Sequence, residues 1–273
     1  MIKEMLENVR LNTPLVHNIT NYVTVNDCAN AILAIGGSPI MSDETEDVKD
    51  ITKICKALNI NIGTLNKRTI DAMFLAGSIS NEVSHPVILD PVGAGASELR
   101  TQTAKELIEK IDFSVIRGNI SEIKALALGG ATTQGVDADI ADKVTKDNID
   151  TVISFAKDFS KKTGATIVIT GETDIIADDE KAYCVYNGHP MMSRITGSGC
   201  MLSAIIGAFI GANPENITEA ALSAVCAMGI CGERAYRRLN ENEGNATFRT
   251  YLIDELFNIN TEILGESAKY EVR

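Results

Sequence analysis

The chain has 273 residues, no Trp and a formal net charge of −12. It is long enough to bury a sizeable core without disulfide staples. The negative balance argues against nucleic acid or an anionic membrane as partner, and any bound phosphate would need a local cation or metal. Six cysteines (28, 55, 184, 200, 226 and 231) are scattered with no CxxC pair. That spacing fits reduced thiols in a cytoplasm better than a disulfide framework or a zinc site. Met1-Ile2-Lys3-Glu4-Met5 lacks the apolar core of a signal peptide. The longest nearly uncharged stretch, Met201–Pro214, is too short and too glycine-rich to span a bilayer.

In chain order, Ile2, Met5, Leu6 and Val9 fall at helical spacing, predicting a short helix over 2–11 that Thr13-Pro14 ends. Leu15-Val16 steps into the polar cluster His17-Asn18-Ile19-Thr20-Asn21, which can cap the next helix or line a pocket for a small polar ligand. Val23, Ala29, Ile32, Leu33 and Ile35 mark that helix, closed by Gly36-Gly37. Pro39-Ile40-Met41 reads as a strand ending in Ser42-Asp43, and Val48, Ile51, Ile54, Cys55 and Leu58 as a helix. Ile60-Asn61-Ile62 is a strand followed by Gly63-Thr64-Leu65, and 67–80 is a helix with Ile70, Met73 and Phe74 on one face. Val87-Ile88-Leu89 is a strand running into Asp90-Pro91-Val92-Gly93. Leu107, Ile108 and Ile111 mark a helix, and Val115-Ile116 a strand running into Arg117-Gly118-Asn119. Ser121–Leu128 is a helix stopped by Gly129-Gly130, and Ala131–Asp147 reads as loop. A helix through Ile149, Val152, Ile153, Ala156 and Phe159 leads to the clearest strand, Thr166–Thr170. Short strand-like runs follow at 174–177, 181–186 and Met191-Met192, with turns between them. Beyond residue 196 the chain reads as helical over 199–211, 217–239 and 248–264, with Asn213-Pro214 breaking the first from the second.

Sustained strand–helix alternation argues an α/β fold: a mostly parallel central sheet with helices on both faces and a small antiparallel edge. No repeat or linker interrupts it, so residues 1–273 read as one domain. Ligands in such sheets bind beyond the carboxyl ends of the strands. There stand Asp43, Gly63-Thr64, Asp90, Arg117–Asn119 and Thr170-Gly171. Asp90 is a strand-end carboxylate that faces this region or caps the turn with Pro91.

Thr196-Gly197-Ser198-Gly199-Cys200 should meet these residues. A glycine loop feeding a helix start aims unpaired N–H groups and the positive dipole end at one spot, the usual place of a phosphate. A thiol at the first turn has its pKa lowered. The same residues also describe a tight turn before a core helix, with Cys200 as a small apolar filler.

Thr196–Cys200 resembles the anion-hole loop of the ribokinase-like fold, where an Asp usually takes the last place, and Asn119-Ile120-Ser121-Glu122 resembles that superfamily's Asn-x-x-Glu magnesium motif. With His17–Val23, Pro39–Asp43, Ile62–Leu65, Asp90–Ala94 and Arg117–Asn119, the whole chain looks like the hydroxyethylthiazole kinase family. The resemblance implies a ribokinase-like fold. It implies ATP- and Mg2+-dependent phosphorylation of the hydroxyethyl arm of 4-methyl-5-(2-hydroxyethyl)thiazole, a salvage step of thiamine synthesis, by a homotrimer with sites between subunits. Cys200 would lie nearest the substrate hydroxyl, with Gly197, Ser198 and Gly199 offering N–H groups to the transferring phosphoryl. Met41 and Gly197 would contact the thiazole, with Asn21, Gly63 and Thr64 as further pocket residues. Arg117 and Thr170 would contact ATP, supported by Asn119. Glu122 would organise the magnesium with Asp90 as second carboxylate, although Asn119 and Glu122 also have the spacing of a capping box. His17 reads as structural; His85 and His189 carry no role. The rival readings are another kinase of this fold, acting on the hydroxymethylpyrimidine half of thiamine, an ATP-dependent hydrate dehydratase, and a non-catalytic thiazole or nucleotide sensor.

Overall fold

A computed structural model of the chain describes residues 1–128, 144, 145 and 147–273. The Gly129-Gly130 stop and nearly all of the expected loop 131–147 lie outside the described residues.

The chain runs α1 (Ile2–Asn12), β1 (Leu15–Ile19), α2 (Val25–Ile35), β2 (Ser38–Met41), α3 (Thr45–Ile54), β3 (Ala57–Asn61), α4 (Lys67–Glu82), β4 (Val87–Asp90), α5 (Glu98–Lys110), β5 (Val115–Asn119) and α6 (Ile120–Ala127). After the gap come α7 (Ile149–Thr163), β6 (Thr166–Thr170), β7 (Asp174–Ala177), β8 (Ala182–Val185), α8 (Ser198–Ala212), α9 (Ile217–Arg238), α10 (Asn245–Asn258), α11 (Thr261–Ser267) and β9 (Tyr270–Val272). The nine strands form one sheet in the order β2-β1-β3-β4-β5-β6-β7-β8-β9. The six from β2 to β6 are parallel, and β7, β8 and β9 add an antiparallel edge.

Two cores flank the sheet. One is built by α1, α2, α8, α9 and α10 around Phe209, Ile205 and Phe248. The other is built from α3 to α7 around Val48, Ala72, Ala104, Ile123 and Val152. Strands covered on both faces read as unbroken apolar runs, and every residue of β4 is buried, Asp90 included. Helix α8 has no polar face: Cys200 to Ile210 are all buried. No described helix is long and apolar enough to cross a membrane.

Four expectations are corrected. The helix expected through Leu58 ends at Ile54, and Leu58 sits in β3, which starts at Ala57. Cys55 is the extended residue that caps the helix, and the apolar Leu58 belongs to a buried strand rather than a helix face. Val23 and Leu33, taken as apolar markers of α2, are exposed, and the buried stripe is Cys28, Ala31, Ile32 and Ile35. Met191-Met192 lies in a 3-10 turn over Pro190–Arg194, not a strand. Pro190 fixes the first residue of that turn, and His189 Nδ1 accepts the Met191 N–H. The third antiparallel strand is instead Tyr270–Val272, and the helix expected over 248–264 is two helices broken at Ile259 and Asn260.

Candidate active site

Parallel register fixes which residues meet at the carboxyl edge. Asn61 of β3 stands beside Asp90 of β4, and Asn119 of β5 beside Thr170 of β6. Helix α8 packs on β1, β3 and β4, so its amino end arrives above Asn61 and Asp90.

The loop before α8 is shaped by its glycines. Gly197 caps the helix with φ +85°, and a Cβ there would stand 2.5 Å from Thr24 Cγ2. The first helical hydrogen bond runs from Met201 N to the Gly197 carbonyl at 2.8 Å, and no side chain caps the helix. The amides of Ser198, Gly199 and Cys200 are therefore left without a helical acceptor. A Cβ on Gly199 would fall 2.6 Å from Arg117 Nη1, so the guanidinium lies directly against this loop. Unpaired amides, the helix dipole and a guanidinium thus converge on one spot, an arrangement suited to a phosphate group.

Beneath it is a buried polar network. Cys200 Sγ accepts from Asn21 Nδ2 at 3.2 Å and from Asn61 Nδ2 at 3.3 Å. Asn61 Nδ2 also donates to Asp90 Oδ2 at 2.7 Å, and Ser203 Oγ donates to the same oxygen at 2.8 Å. Asn61 Oδ1 accepts from Asn21 Nδ2 at 3.0 Å and from Gly63 N at 2.9 Å. Asn21 Oδ1 in turn receives both Thr24 N and Thr24 Oγ1. Asp90 Oδ1 faces Arg117 Nη1 at 3.5 Å, the carboxylate fully buried and the Arg117 side chain 11% exposed. Arg117 Nη2 donates to Thr170 Oγ1 at 2.7 Å, while its Nε is buried without a partner.

Burial pushes the Asp90 carboxyl up; Arg117, Ser203 and Asn61 pull it back. The Cys200 thiol is also pushed up, by burial first and by the Asp90 charge second, against hydrogen bonds from Thr24, Asn21 and Asn61. The lowered thiol pKa expected from the helix start is thus reversed: desolvation and a neighbouring carboxylate push it up.

Glu122 stands apart from this network on the β5–α6 turn. Asn119 Oδ1 accepts from Glu122 N at 2.9 Å, and Glu122 Oε2 accepts from Asn119 N at 2.8 Å, a complete capping box. Glu122 Oε1 also accepts from Gly93 N at 2.9 Å, which ties the loop after β4 to α6. The same carboxylate is close enough for its charge to act on Asp90. Among the described residues no group of three His, Cys, Asp or Glu side chains forms a metal site. Magnesium is held by one or two carboxylates with water and substrate phosphates completing its shell. Each Glu122 oxygen keeps one acceptor position beyond its backbone donor, whereas Asp90 is 0% exposed with its oxygens facing Asn61, Ser203 and Arg117.

The remaining expected residues divide. Gly63 is tied in: its carbonyl accepts from Arg100 Nη2 at 2.8 Å, and a Cβ on it would press on Asn61 and Asn21. Thr64 Oγ1 accepts from Tyr22 N at 3.3 Å, which joins the loops after β1 and β3. Met41 stands at the carboxyl end of β2 in register with Asn18, one strand removed from the network. Asp43 turns away, paired with exposed Arg68. His17 is a buried strut: Nε2 donates to the Ser42 carbonyl and Nδ1 accepts from Thr52. Asn61, Ser203, Thr24 and Arg100 complete the site without having been singled out from the sequence. An Asn inside the apolar run Ile60-Asn61-Ile62 was the available signal for the first. A cavity of about 450 Å³ lies at the opposite edge, the amino ends of β5 and β6, lined among others by Asp112, Lys161 and Thr218. It contains none of these residues.

Comparison with known proteins supplies the context. The family model described as "Hydroxyethylthiazole kinase family" matches residues 6–262. A hydroxyethylthiazole kinase of Clostridium acetobutylicum is 62% identical over 271 residues, covering 99% of each chain. The solved structure of a hydroxyethylthiazole kinase protein from Pyrococcus horikoshii OT3 superposes with a TM-score of 0.88 at 34% identity, covering 100% of this chain and 98% of that one. A ribokinase-like superfamily protein of Enterococcus faecalis, 15% identical, matches with a TM-score of 0.61 over 95% of each chain. The fold is therefore ribokinase-like.

Proposed function

The chain belongs to the hydroxyethylthiazole kinase family, and from that premise we propose that it moves the γ-phosphate of ATP to the hydroxyethyl group of 4-methyl-5-(2-hydroxyethyl)thiazole, a thiamine salvage step. The observation that carries this reading is the junction of three uncapped amides, Arg117 and Cys200 at the start of α8.

Phosphoryl transfer passes through a loose transition state, so positioning and charge neutralisation do most of the work. The amides of Ser198, Gly199 and Cys200 hold the transferring phosphoryl oxygens. Arg117, anchored by Asp90 and Thr170, turns its guanidinium to the nucleotide phosphates. Met41, Asn21, Gly63, Thr64 and Gly197 form the thiazole side. Cys200 faces the hydroxyl and, in its thiolate form, takes its proton as the bond to phosphorus forms. Burial and the Asp90 charge favour the thiol, so turnover draws on the thiolate fraction that the Asn21 and Asn61 amides stabilise. Glu122, with Asn119 in support, would hold Mg2+, which supplies positive charge to the phosphates when bound.

The same reading includes a single domain over 1–273, supported by the unbroken sheet. It also includes a homotrimer with sites between subunits, supported by Tyr22 and Val23, which are 78% and 57% exposed beside the thiazole side. A cytoplasmic location is supported by six unpaired thiols. The test is ADP release with ATP, Mg2+ and either the thiazole alcohol or the pyrimidine alcohol. Turnover with the thiazole alcohol is expected; thiazole binding without ADP release would point to a sensor, and turnover with the pyrimidine alcohol alone to the other kinase. Light scattering reads the trimer.

A further inference from the structure

Asn61 uses its whole hydrogen-bonding capacity inside the site. Its two amide hydrogens serve Asp90 Oδ2 at 2.7 Å and Cys200 Sγ at 3.3 Å. Its oxygen takes Asn21 Nδ2 at 3.0 Å and the backbone N–H of Gly63 at 2.9 Å. The residue is 1% exposed. Gly63 N is an unambiguous donor, so the amide oxygen must face it and the NH2 must face the carboxylate and the sulfur. No other side chain of this size offers two donors on one side and two acceptor positions on the other. The side chain is therefore selected by both halves of its environment.

We infer that Asn61 is a positioning residue for the phosphoryl transfer, aiming the Cys200 sulfur at the substrate hydroxyl and holding it in fixed relation to Asp90. The inference rests on the reading that Cys200 faces that hydroxyl. Asn21 supplies the second amide on the same sulfur, and Asn61 Oδ1 orients Asn21. Asn61 thereby governs both donors that fix the sulfur. On the thiolate, two N–H groups at Sγ leave one lone pair, and the substrate hydroxyl approaches along it. The role needs no contact with substrate.

A double-mutant cycle on steady-state kinetics tests this. For Asn61→Ala, kcat is expected to fall about 100-fold, the cost of misplacing a reacting group by about an ångström. KM for ATP and for the thiazole alcohol should each stay within about threefold, since the lost interaction orients the reacting sulfur rather than binding substrate. In a Cys200→Ala background the same change should lower kcat by less than about threefold, because residues acting as a unit are non-additive. Should Asn61→Ala fail to fold, Asn61→Ser, whose hydroxyl ends short of the sulfur, runs through the same cycle. A loss that multiplies fully with that of Cys200→Ala, or one that appears in KM with kcat intact, overturns the inference. If Cys200→Ala alone keeps the wild-type kcat, the reading of Cys200 fails, a separate and distinguishable result.

Discussion

The two walls of the site are built by different physics. On the α8 side, Asn21, Asn61, Asp90, Cys200 and Ser203 are buried and satisfy one another across elements far apart in sequence. On the β5–α6 side, Asn119 and Glu122 close a local capping box between residues three apart, in contact with solvent. A buried polar network is rigid but fails when one member is lost, because its partners are left unsatisfied in a low-dielectric interior. A surface cap costs only about 1 kcal/mol to lose and leaves water to take over. The first wall is suited to aiming a reacting atom, and the second to presenting charge to a mobile, hydrated ion.

Substitutions can break or sharpen this contrast. The largest expected effect is at Cys200. Cys200→Ala should lower kcat by about 10²–10⁴-fold, the range for a positioned proton acceptor, with KM for the thiazole alcohol little changed, while Cys200→Asp keeps substantial turnover. Measured ADP release decides it, and a wild-type rate in Cys200→Ala removes the first wall's chemical purpose. Next come the two glycines of the loop, which should fail differently. Gly199→Ala drives a methyl into Arg117 and should cost about 100-fold in kcat/KM for ATP. Gly197→Ala meets Thr24 and a positive φ, and its backbone strain should lower stability by about 1–2 kcal/mol, read as a lower Tm. Equal stability losses in the two variants would contradict the separation.

A smaller effect is expected on the second wall. Glu122→Gln keeps an oxygen for the Asn119 amide but turns its NH2 against the Gly93 N–H, so Tm should fall slightly, by the loss of one hydrogen bond. The Mg2+ concentration for half-maximal rate should rise about 10-fold. If Glu122 is a cap and nothing more, the small Tm loss appears alone and the Mg2+ dependence stays as in the wild type. The smallest effect lies outside both walls, at His17. Burial holds its imidazole below the ordinary pKa, so the unfolded chain takes up the proton first as pH falls. Its contribution to stability is complete above the ordinary value near 6.5 and is lost as pH drops through and below it. Urea titrations of wild type and His17→Gln between pH 7.5 and 5.5 should show the wild type losing more stability on acidification.

The second wall was legible in the sequence because its geometry is local: Asn-x-x-Glu at a strand–helix junction is the same signal for a cap and for a metal motif. The α8 loop was legible for a similar reason, since two glycines and a cysteine before an apolar helix announce their own conformation. The first wall was not legible in full. Asn61 and Ser203 acquire meaning only through register, when parallel pairing sets β3 beside β4 and α8 lands above both. The direction of the Cys200 pKa needed the same information, because the dipole is a property of the helix and desolvation a property of the fold. At the antiparallel edge, Tyr270–Val272 carries too few apolar residues for its pairing with β8 to be read ahead of the structure. Met191-Met192 carried the apolar pattern of a strand, but both backbone N–H groups turn back onto His189 and close a turn.

Helix α8 carries a consequence for the timescale on which this site can open. From Met201 to Ile210 it is buried on every side and its amides are bonded within the helix, so they have no route to solvent short of losing most of one core. Their hydrogen exchange should be among the slowest in the molecule and proceed by global unfolding. That protection reaches to within one turn of the Cys200 sulfur. The catalytic end of the helix cannot fray on its own, and heating should abolish turnover and the cooperative fold together.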